Sequence, residues 1–385
     1  MRPSMPAAAV MLLLLCSALP AAAADAGVPL AQRLNDTGLT RCTRDFRSFT
    51  HDCAGTGQDA DSGRDAVRRG NLNGHAGFAF LKVCNSGEAA GTGSCTAQAA
   101  LGDGPDDWGC TFDRVTGLEW EVKTNDAGPR DVHWLYTNFG NHGVGDASSF
   151  VDAVNAAGLC GANDWRLPLT GELQGIEDFD HASPKPSIDL RFFPNTLVAH
   201  YWNAEPFVGQ ETTVAWVTSF LMDPKNISVT AEVRSTPNGV RLVRGGATGA
   251  ARYLARGAEV EAVAAHLVWQ RCSVGQHWDG TTCAGTPRGF DFGGAIAYAQ
   301  QHAAATGKPW RVPNAKELNS IVDHARQHPA IDTDVFPGTD PDLYWTSTAY
   351  AWTATGAWAV TFDGGQVLAY YGGFGLDLRL VRDAD

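Results

Sequence analysis

WRLPLTGEL, residues 165–173, returns as WRVPNAKEL at residues 310–318. Each tract is followed by the same landmarks in the same order: an Ile-Asp and a Phe-Pro pair, a Tyr-Trp pair, a strand containing Ala-Trp, and a closing RLVR. A self-match of this length predicts a tandem duplication. We therefore divide most of the chain into copy one, residues 108–246, and copy two, residues 247–385.

The pattern within each copy predicts an α+β fold. The residue before a proline is disfavoured in the helical region, so we expect the backbone at the start of each tract to be extended. Thr170 in copy one and Asn314 in copy two can then cap a helix that follows. An earlier helix is predicted at 149–157 in copy one and at 294–304 in copy two, and short strands with Gly, Pro and Asn turns fill the rest. Two helices beside an antiparallel sheet form an α+β unit. We expect the opening strand and the RLVR strand of each copy to pair, and each copy, at about 140 residues, to fold alone.

Arg166 and Arg311 occupy the same place in the two tracts. Either arginine could hold an anionic ligand. A repeated arginine beside a tryptophan and ahead of a helix is better explained by stacking on the ring or by pairing with Glu172 or Glu317. The structural role is therefore favoured.

The N-terminus predicts export. Arg2, the apolar run at 8–15 and the small residues at 21–24 form a signal peptide, residues 1–24, with cleavage after Ala24. No later stretch approaches the roughly 18 apolar residues of a membrane-spanning helix. We expect a periplasmic, secreted or outer-surface protein of a bacterium.

Eight of the nine cysteines lie beyond the predicted signal peptide, an even number in a compartment where disulfides persist. Copy two lacks counterparts of both Cys110 and Cys160, as a bridge between these two would require. A metal site is the alternative, but no C-x-x-C spacing occurs. The spacings predict the pairs Cys42–Cys53, Cys84–Cys95, Cys110–Cys160 and Cys272–Cys283.

Residues 25–107 are rich in Gly, Asp and Ala and show little periodicity, so we interpret them as an N-terminal extension pinned by two local disulfides. Within it, Asp59, Asp61 and Asp65 occupy the first, third and seventh positions of a partial calcium loop. Gly70 stands where a closing carboxylate would be, so a solvated loop is the alternative. Apart from this weak calcium site, no cofactor is expected.

The net charge argues against certain classes of partner, and the absence of catalytic motifs argues against an enzyme. A formal net charge of −13 disfavours nucleic acid and anionic lipid. Neither Gly-x-Ser-x-Gly nor His-Glu-x-x-His occurs, and no phosphate-cradling glycine loop follows a strand. We therefore expect a protein that is not an enzyme.

Several stretches resemble the Lcl C-terminal domain family, which occurs at bacterial surfaces and is related to the C-type lectin-like fold. The resemblance covers nearly the whole chain beyond the signal peptide and is carried by residues 36–42, 106–120, 161–173 and 272–283. It implies a C-type lectin-like fold in two tandem copies. The two copies differ in several of the quoted motifs, so they are not expected to bind alike.

The resemblance implies an adhesin-like or lectin-like protein that recognises a polysaccharide or a surface protein. The alternative is a structural or assembly component of a bacterial surface appendage. A third hypothesis is an enzyme of the formylglycine-generating type, which would need a reactive cysteine pair late in the domain. Every cysteine precedes the last hundred residues, which disfavours the enzyme.

Two places are candidate ligand sites. An aromatic group late in copy two suits the apolar faces of sugars, and Trp345 and Trp358, which have counterparts in copy one, are expected in the core instead. In copy one, Asn203 and Glu205 resemble part of the calcium-dependent sugar motif of C-type lectins, although Phe207 stands where that motif needs an amide. The expected surface residues of the aromatic group are Trp352, Tyr370, Tyr371 and Phe374.

Overall fold

The computed structural model describes residues 34–45, 47–70, 72–181, 185–221, 227–246 and 253–384. The predicted signal peptide, residues 1–24, lies outside these ranges. Within them the chain forms a β-rich α+β structure with 18 strands in five antiparallel sheets. No helix in this part of the chain has the length and apolar character needed to cross a membrane.

The N-terminal extension is built into copy one rather than appended to it. Its elements are β1 (Cys42–Arg44), β2 (Ser48–Thr50), a 3-10 turn (Asp59–Asp61), α1 (Arg64–Val67) and β3 (Phe80–Cys84). Strand β3 pairs antiparallel with the first strand of copy one, with Lys82 opposite Thr111. The boundary predicted at residue 107 therefore falls between two strands of the same sheet.

The two copies share one basic order of elements, although copy two has three additional strands. Copy one contains β4 (Trp108–Asp113), β5 (Glu119–Glu121), α2 (Ala147–Ala157), α3 (Thr170–Gly175), β6 (His200–Pro206), β7 (Val214–Ser219), β8 (Ile227–Val233) and β9 (Val243–Arg244). Copy two contains β10 (Tyr253–Arg256), β11 (Glu259–Ala262), β12 (Leu267–Gln270), β13 (Gln276–Trp278), β14 (Cys283–Gly285), α4 (Phe292–Thr306), α5 (Ala315–Asn319), β15 (Leu343–Ala349), β16 (Gly356–Thr361), β17 (Val367–Tyr371) and β18 (Val381–Asp383). Strands β3-β4-β5-β9 form the small sheet of copy one, and β10-β11-β12-β18 form its counterpart in copy two.

A six-stranded sheet joins the two copies in the order β15-β16-β17-β8-β7-β6. Its centre is the antiparallel pairing of β8 with β17, where Val229 lies opposite Val367 and Ile227 opposite Leu368. Each copy contributes three equivalent strands, so the sheet has approximate twofold symmetry about this junction. Because β8 and β17 are antiparallel, the C-terminal end of β8 lies at one end of the sheet and the C-terminal end of β17 lies at the other.

The core beneath the junction belongs to both copies. One buried cluster contains Phe179, Trp216 and Val229 of copy one together with Trp358 of copy two. The rings of Phe179 and Trp358 meet edge to face with centroids 5.1 Å apart, and Trp216 lies 4.5 Å from the ring of His324. These contacts argue against the expectation that each copy folds alone, because separation would expose a continuous apolar surface in both.

The opening and closing strands pair as predicted. Strand β5 lies beside β9 in copy one, and β12 lies beside β18 in copy two. The closing motif also supplies one fully buried arginine to each copy. Arg241 donates to the Glu121 carbonyl oxygen at 2.8 Å, and Arg379 donates to the Gln270 carbonyl oxygen at 3.0 Å. These guanidinium groups satisfy backbone acceptors in the interior, which explains why the motif repeats without requiring a ligand.

The duplicated tract positions the helix start in each copy. Arg166 makes two hydrogen bonds of 2.7 Å to the Glu172 carboxylate, and Arg311 makes the equivalent pair with Glu317 at 2.6 and 2.7 Å. The predicted pairing of these arginines is confirmed. Asn314 caps α5 as predicted, since its Oδ1 accepts the Glu317 N–H at 2.9 Å. The prediction for Thr170 was wrong, because it is the first helical residue of α3 and the N-cap is Leu169.

All four predicted disulfides are present: Cys42–Cys53, Cys84–Cys95, Cys110–Cys160 and Cys272–Cys283. Three of them close loops of 11 residues, whereas Cys110–Cys160 spans 50 residues. The long bridge ties β4 to the 3-10 turn after α2 and thus fixes the small sheet of copy one to its helical side.

The shared core predicts that the two copies unfold together. Replacement of Phe179 by Ala removes a ring that is fully buried against Trp358, so we expect a loss of about 3–5 kcal/mol. Thermal melting followed by circular dichroism should still show one transition at a lower temperature. The control Phe139→Ala removes a ring that is 47% exposed and should shift the midpoint little. Two separate transitions in the Phe179 variant, one of them unshifted, would contradict the shared core.

Candidate functional site

The aromatic residues predicted as a surface group lie at one end of the six-stranded sheet. Trp352 is 47% exposed, Tyr371 61% and Phe374 54%, while Tyr370 is half-buried. The Phe374 ring lies 5.7 Å from that of Tyr370 and 6.2 Å from that of Tyr371, centroid to centroid. We call these four residues the aromatic face.

The backbone holds the aromatic face in place. Tyr370 and Tyr371 end β17, Phe374 lies in the following turn, and Trp352 lies in the turn between β15 and β16. The two turns are joined where the Gly372 N–H donates to the Thr355 carbonyl oxygen at 2.8 Å. The sequence also predicted Trp345 and Trp358 as core residues, and both are buried. The exposed rings are therefore distinct from Trp345 and Trp358, which pack in the hydrophobic core.

Copy one also has exposed aromatic rings near one end of the sheet, although they lie in the segment before α2 and not in the strand turns that carry the aromatic face, and the sequence did not predict them. Trp134 is 52% exposed and Phe139 47%. Their segment is tied to the loop after β8 by hydrogen bonds from Tyr136 N–H to the Asn238 carbonyl oxygen and from Asn138 N–H to the Arg234 carbonyl oxygen, both 2.9 Å. Copy two ties its equivalent segment to the loop after β17 in the same way. Because β8 and β17 are antiparallel, the two exposed aromatic regions lie at opposite ends of the sheet.

The proposed sugar motif in copy one is structural. Asn203 is fully buried, and its amide nitrogen lies 3.1 Å from the Thr218 hydroxyl and 3.3 Å from the Thr170 hydroxyl. Glu205 accepts the Thr170 N–H at 2.9 Å and its hydroxyl at 3.0 Å, which satisfies the start of α3. Burial raises the pKa of Glu205 to about 7. The hypothesis that Asn203 and Glu205 present a sugar site on the surface is corrected, because Asn203 has no access to solvent.

The predicted calcium loop does not form from the three residues proposed. Asp59 and Asp65 are buried and meet Asp36, with one oxygen of each carboxylate within 4.8 Å of the others. Asp61 instead accepts the backbone N–H groups of Gly55 at 2.9 Å and Gly57 at 2.7 Å. We call Asp36, Asp59 and Asp65 the acidic cluster.

The acidic cluster fastens the extension to copy two. The Thr348 hydroxyl donates to Asp59 Oδ2 at 2.7 Å, and the Asn314 side-chain amide donates to Asp36 Oδ1 at 2.9 Å. Within the extension, the Thr37 hydroxyl lies 2.7 Å from Asp59 Oδ2. Polar contacts across 278 and 289 positions of sequence thus join the extension to the N-cap of α5 and to strand β15.

The carboxyl groups of the acidic cluster have raised pKa values. Burial, followed by the charge of Asp36, raises the pKa of Asp59 to about 7. Burial likewise raises the pKa of Asp36 and of Asp65, with neighbouring carboxylates adding to the effect. Like charges gathered away from water resist ionisation, and a bound divalent cation would remove that penalty.

A cavity of about 560 Å³ opens beside the acidic cluster, between the extension and copy two. Asn35, Asp36 and Asp59 line it together with Arg311 and Glu317. The Asn35 side-chain oxygen is buried without a hydrogen-bond partner among the described residues, as is Oδ1 of Asp65. Calcium prefers carboxylate and amide oxygens, and both are present beside the cavity.

Calcium that binds the acidic cluster should stabilise the full chain, which gives a test of the site. We expect the melting temperature to rise with added Ca²⁺ in the natural protein and to lose this response in Asp59→Asn, because binding to the folded state alone raises stability. Asp61→Asn is the matched control, since Asp61 lies in the same loop but outside the cluster. The assignment to these three residues is wrong if Asp61→Asn abolishes the response while Asp59→Asn retains it.

Comparison with known proteins identifies the repeated unit. Residues 109–244 and residues 259–382 each match the model of the Lcl C-terminal domain family. No curated protein and no solved structure matches the chain. The two matched segments lie within the two copies, and of the strands in these copies only β10 falls wholly outside them.

Proposed function

The chain belongs to the Lcl C-terminal domain family, and from this premise we propose that it is an exported, non-enzymatic binding protein that recognises a polysaccharide. The family suggests a protein associated with the bacterial surface. Four disulfides are compatible with a periplasmic or extracellular location. We further propose that each copy has a C-type lectin-like fold.

The observation that carries this proposal is the aromatic face. Pyranose rings present apolar C–H groups that stack on aromatic rings, and tryptophan and tyrosine add polar atoms at their edges. Large rings that remain exposed and close together on a folded surface mark a site of interaction. Trp352 and Tyr371 are placed by turns whose backbone is hydrogen-bonded, so little ordering is required when a ligand binds.

The net charge of the chain indicates which class of polysaccharide it can bind. A formal net charge of −13 repels sulfated and phosphorylated polymers. The aromatic face itself consists of uncharged side chains. We therefore propose a neutral or amino-sugar-containing polysaccharide rather than an anionic one.

The exposed aromatic rings of copy one support a second contact. Trp134 and Phe139 lie at the opposite end of the sheet from the aromatic face, so one chain can contact two segments of polymer or two polymers. Linked sites raise overall affinity for a repetitive ligand beyond that of either alone. Calcium at the acidic cluster is proposed to hold the extension in place rather than to contact the sugar, because the cluster is buried.

Two other functions are distinguished from polysaccharide binding by the experiment described below. A surface protein could occupy the aromatic face, and a structural component of a surface appendage would use the same compact, disulfide-bonded units without a sugar ligand. A formylglycine-generating activity would need a reactive cysteine pair. All eight cysteines in the described part of the chain are paired in disulfides, which supports the binding proposal over the enzyme.

Replacing Trp352 and Tyr371 by Ala tests the proposal. Binding to the best polysaccharide on a glycan array should fall at least about tenfold per ring, because buried aromatic rings dominate such interfaces. The free energy of unfolding should change by no more than about 0.5 kcal/mol for each exposed side chain. Calorimetry with the selected polysaccharide measures the first quantity and denaturant unfolding the second.

The matched control is Leu190→Ala, which removes an apolar side chain that is 40% exposed elsewhere on copy one. It should leave binding unchanged. A silent glycan array, or a polysaccharide bound equally well by the double variant, would contradict the proposal and favour the assembly role.

A further inference from the structure

Two histidines and a carboxylate meet where the extension contacts copy one. His75 lies in the turn before β3, and Asp178 and His181 lie in the segment after α3. The Nδ1 atoms of His75 and His181 lie 2.8 and 2.7 Å from the same oxygen, Oδ2 of Asp178. One donor atom from each of the three side chains falls within 4.8 Å of the others.

The three atoms converge at one buried point. Nδ1 of His75 and Nδ1 of His181 both lie within hydrogen-bond distance of Oδ2 of Asp178, and none of the three atoms is accessible to solvent. Two imidazole nitrogens and a carboxylate oxygen that already converge on one point need only small movements to share a metal ion.

The surroundings match those of a metal-bound histidine. Oδ1 of Asp178 accepts the Asp180 N–H at 3.0 Å, which leaves Oδ2 directed at the two imidazoles. On the far side of His75, Nε2 faces Oδ2 of Asp180 at 3.8 Å. Asp180 is itself held by the Thr40 hydroxyl at 2.7 Å and by Arg41 at 2.8 Å. A histidine that ligates a metal through one nitrogen commonly presents the other to a fixed carboxylate.

We propose that His75, Asp178 and His181 bind one Zn²⁺ ion. Two imidazole nitrogens and one carboxylate oxygen form a donor set typical of zinc, whereas calcium selects oxygen donors. Three protein ligands leave a fourth tetrahedral position for water or for a donor from a partner. The His181 side chain is 33% exposed, so the ion can enter from solvent.

The zinc ion would act as a cross-link between segments far apart in sequence. His75 belongs to the extension, while Asp178 and His181 belong to copy one, 103 positions or more away along the chain. The turn that carries His75 leads directly into β3, which pairs with β4. Zinc at this point fixes β3 and the preceding extension onto copy one. The site shares no residue with the aromatic face or the acidic cluster, so it does not depend on either.

Zinc binding by the full chain without an affinity tag tests the site. After removal of metal by a chelator, titration with ZnCl₂ against a chromogenic competitor should show one saturable site per chain, and zinc should raise the melting temperature. His181→Ala should abolish both responses. Asp180→Asn, which changes only the carboxylate behind His75, should weaken zinc binding by about 10- to 100-fold.

His142→Ala is the matched control, because His142 is an exposed histidine whose Nδ1 lies 2.6 Å from Asp152 outside the cluster. This variant should bind zinc like the natural protein. If Asp178→Asn fails to fold, His181→Ala still decides the question, since its side chain is partly exposed. The proposal is overturned if the natural protein shows no saturable zinc site at micromolar concentrations, or if His181→Ala binds zinc as tightly as His142→Ala.

Discussion

The antiparallel pairing of β8 with β17 is the contact on which the rest of the structure depends. It converts two three-stranded sheets, each with an open edge, into one six-stranded sheet. An open strand edge exposes unpaired backbone groups, and pairing with the equivalent strand of the other copy satisfies them on both sides at once. The same step brings Trp216 and Trp358 into one buried cluster. It also sets the two exposed aromatic regions at opposite ends of the sheet.

The extension makes the two copies unequal. In copy one, the first amide of α3 donates to the carboxylate of Glu205, which lies on the adjacent strand β6. In copy two, the equivalent residue Thr348 accepts the first amide of α5 and donates its own proton to Asp59 of the extension. The carboxyl group behind the first helical amide is thus Glu205 of the same copy in copy one, whereas in copy two it is Asp59 of the extension, which acts through Thr348. The acidic cluster accordingly lies against the start of α5 in copy two, where Asn314 and Thr348 donate to it.

Much of the fold could be predicted because the relevant signals are local or repeated. The duplicated tract located both helix starts, the absence of Cys110 and Cys160 counterparts predicted their bridge, and turn-rich flanks indicated that Trp352 is exposed. The β8–β17 junction could not be predicted, since neither strand carries a pattern that names its partner. The predicted sugar site at Asn203 was wrong for a related reason, because a sequence motif does not show whether a side chain is buried. Asp36 was missed as a member of the acidic cluster because it lies 23 positions before Asp59 and is brought there only by tertiary contacts.

Native-state hydrogen exchange at the junction tests the central claim most directly. Backbone amides of β8 and β17 that lie between the paired strands should be protected as strongly as those between β7 and β8 or between β16 and β17, because all open only with the shared core. Mass spectrometry of the exchanged full chain, with peptides covering residues 227–233 and 367–371, measures this protection. Rapid exchange at the β8–β17 interface, with slow exchange retained at the inner strands of each copy, would show two separate sheets and contradict the account.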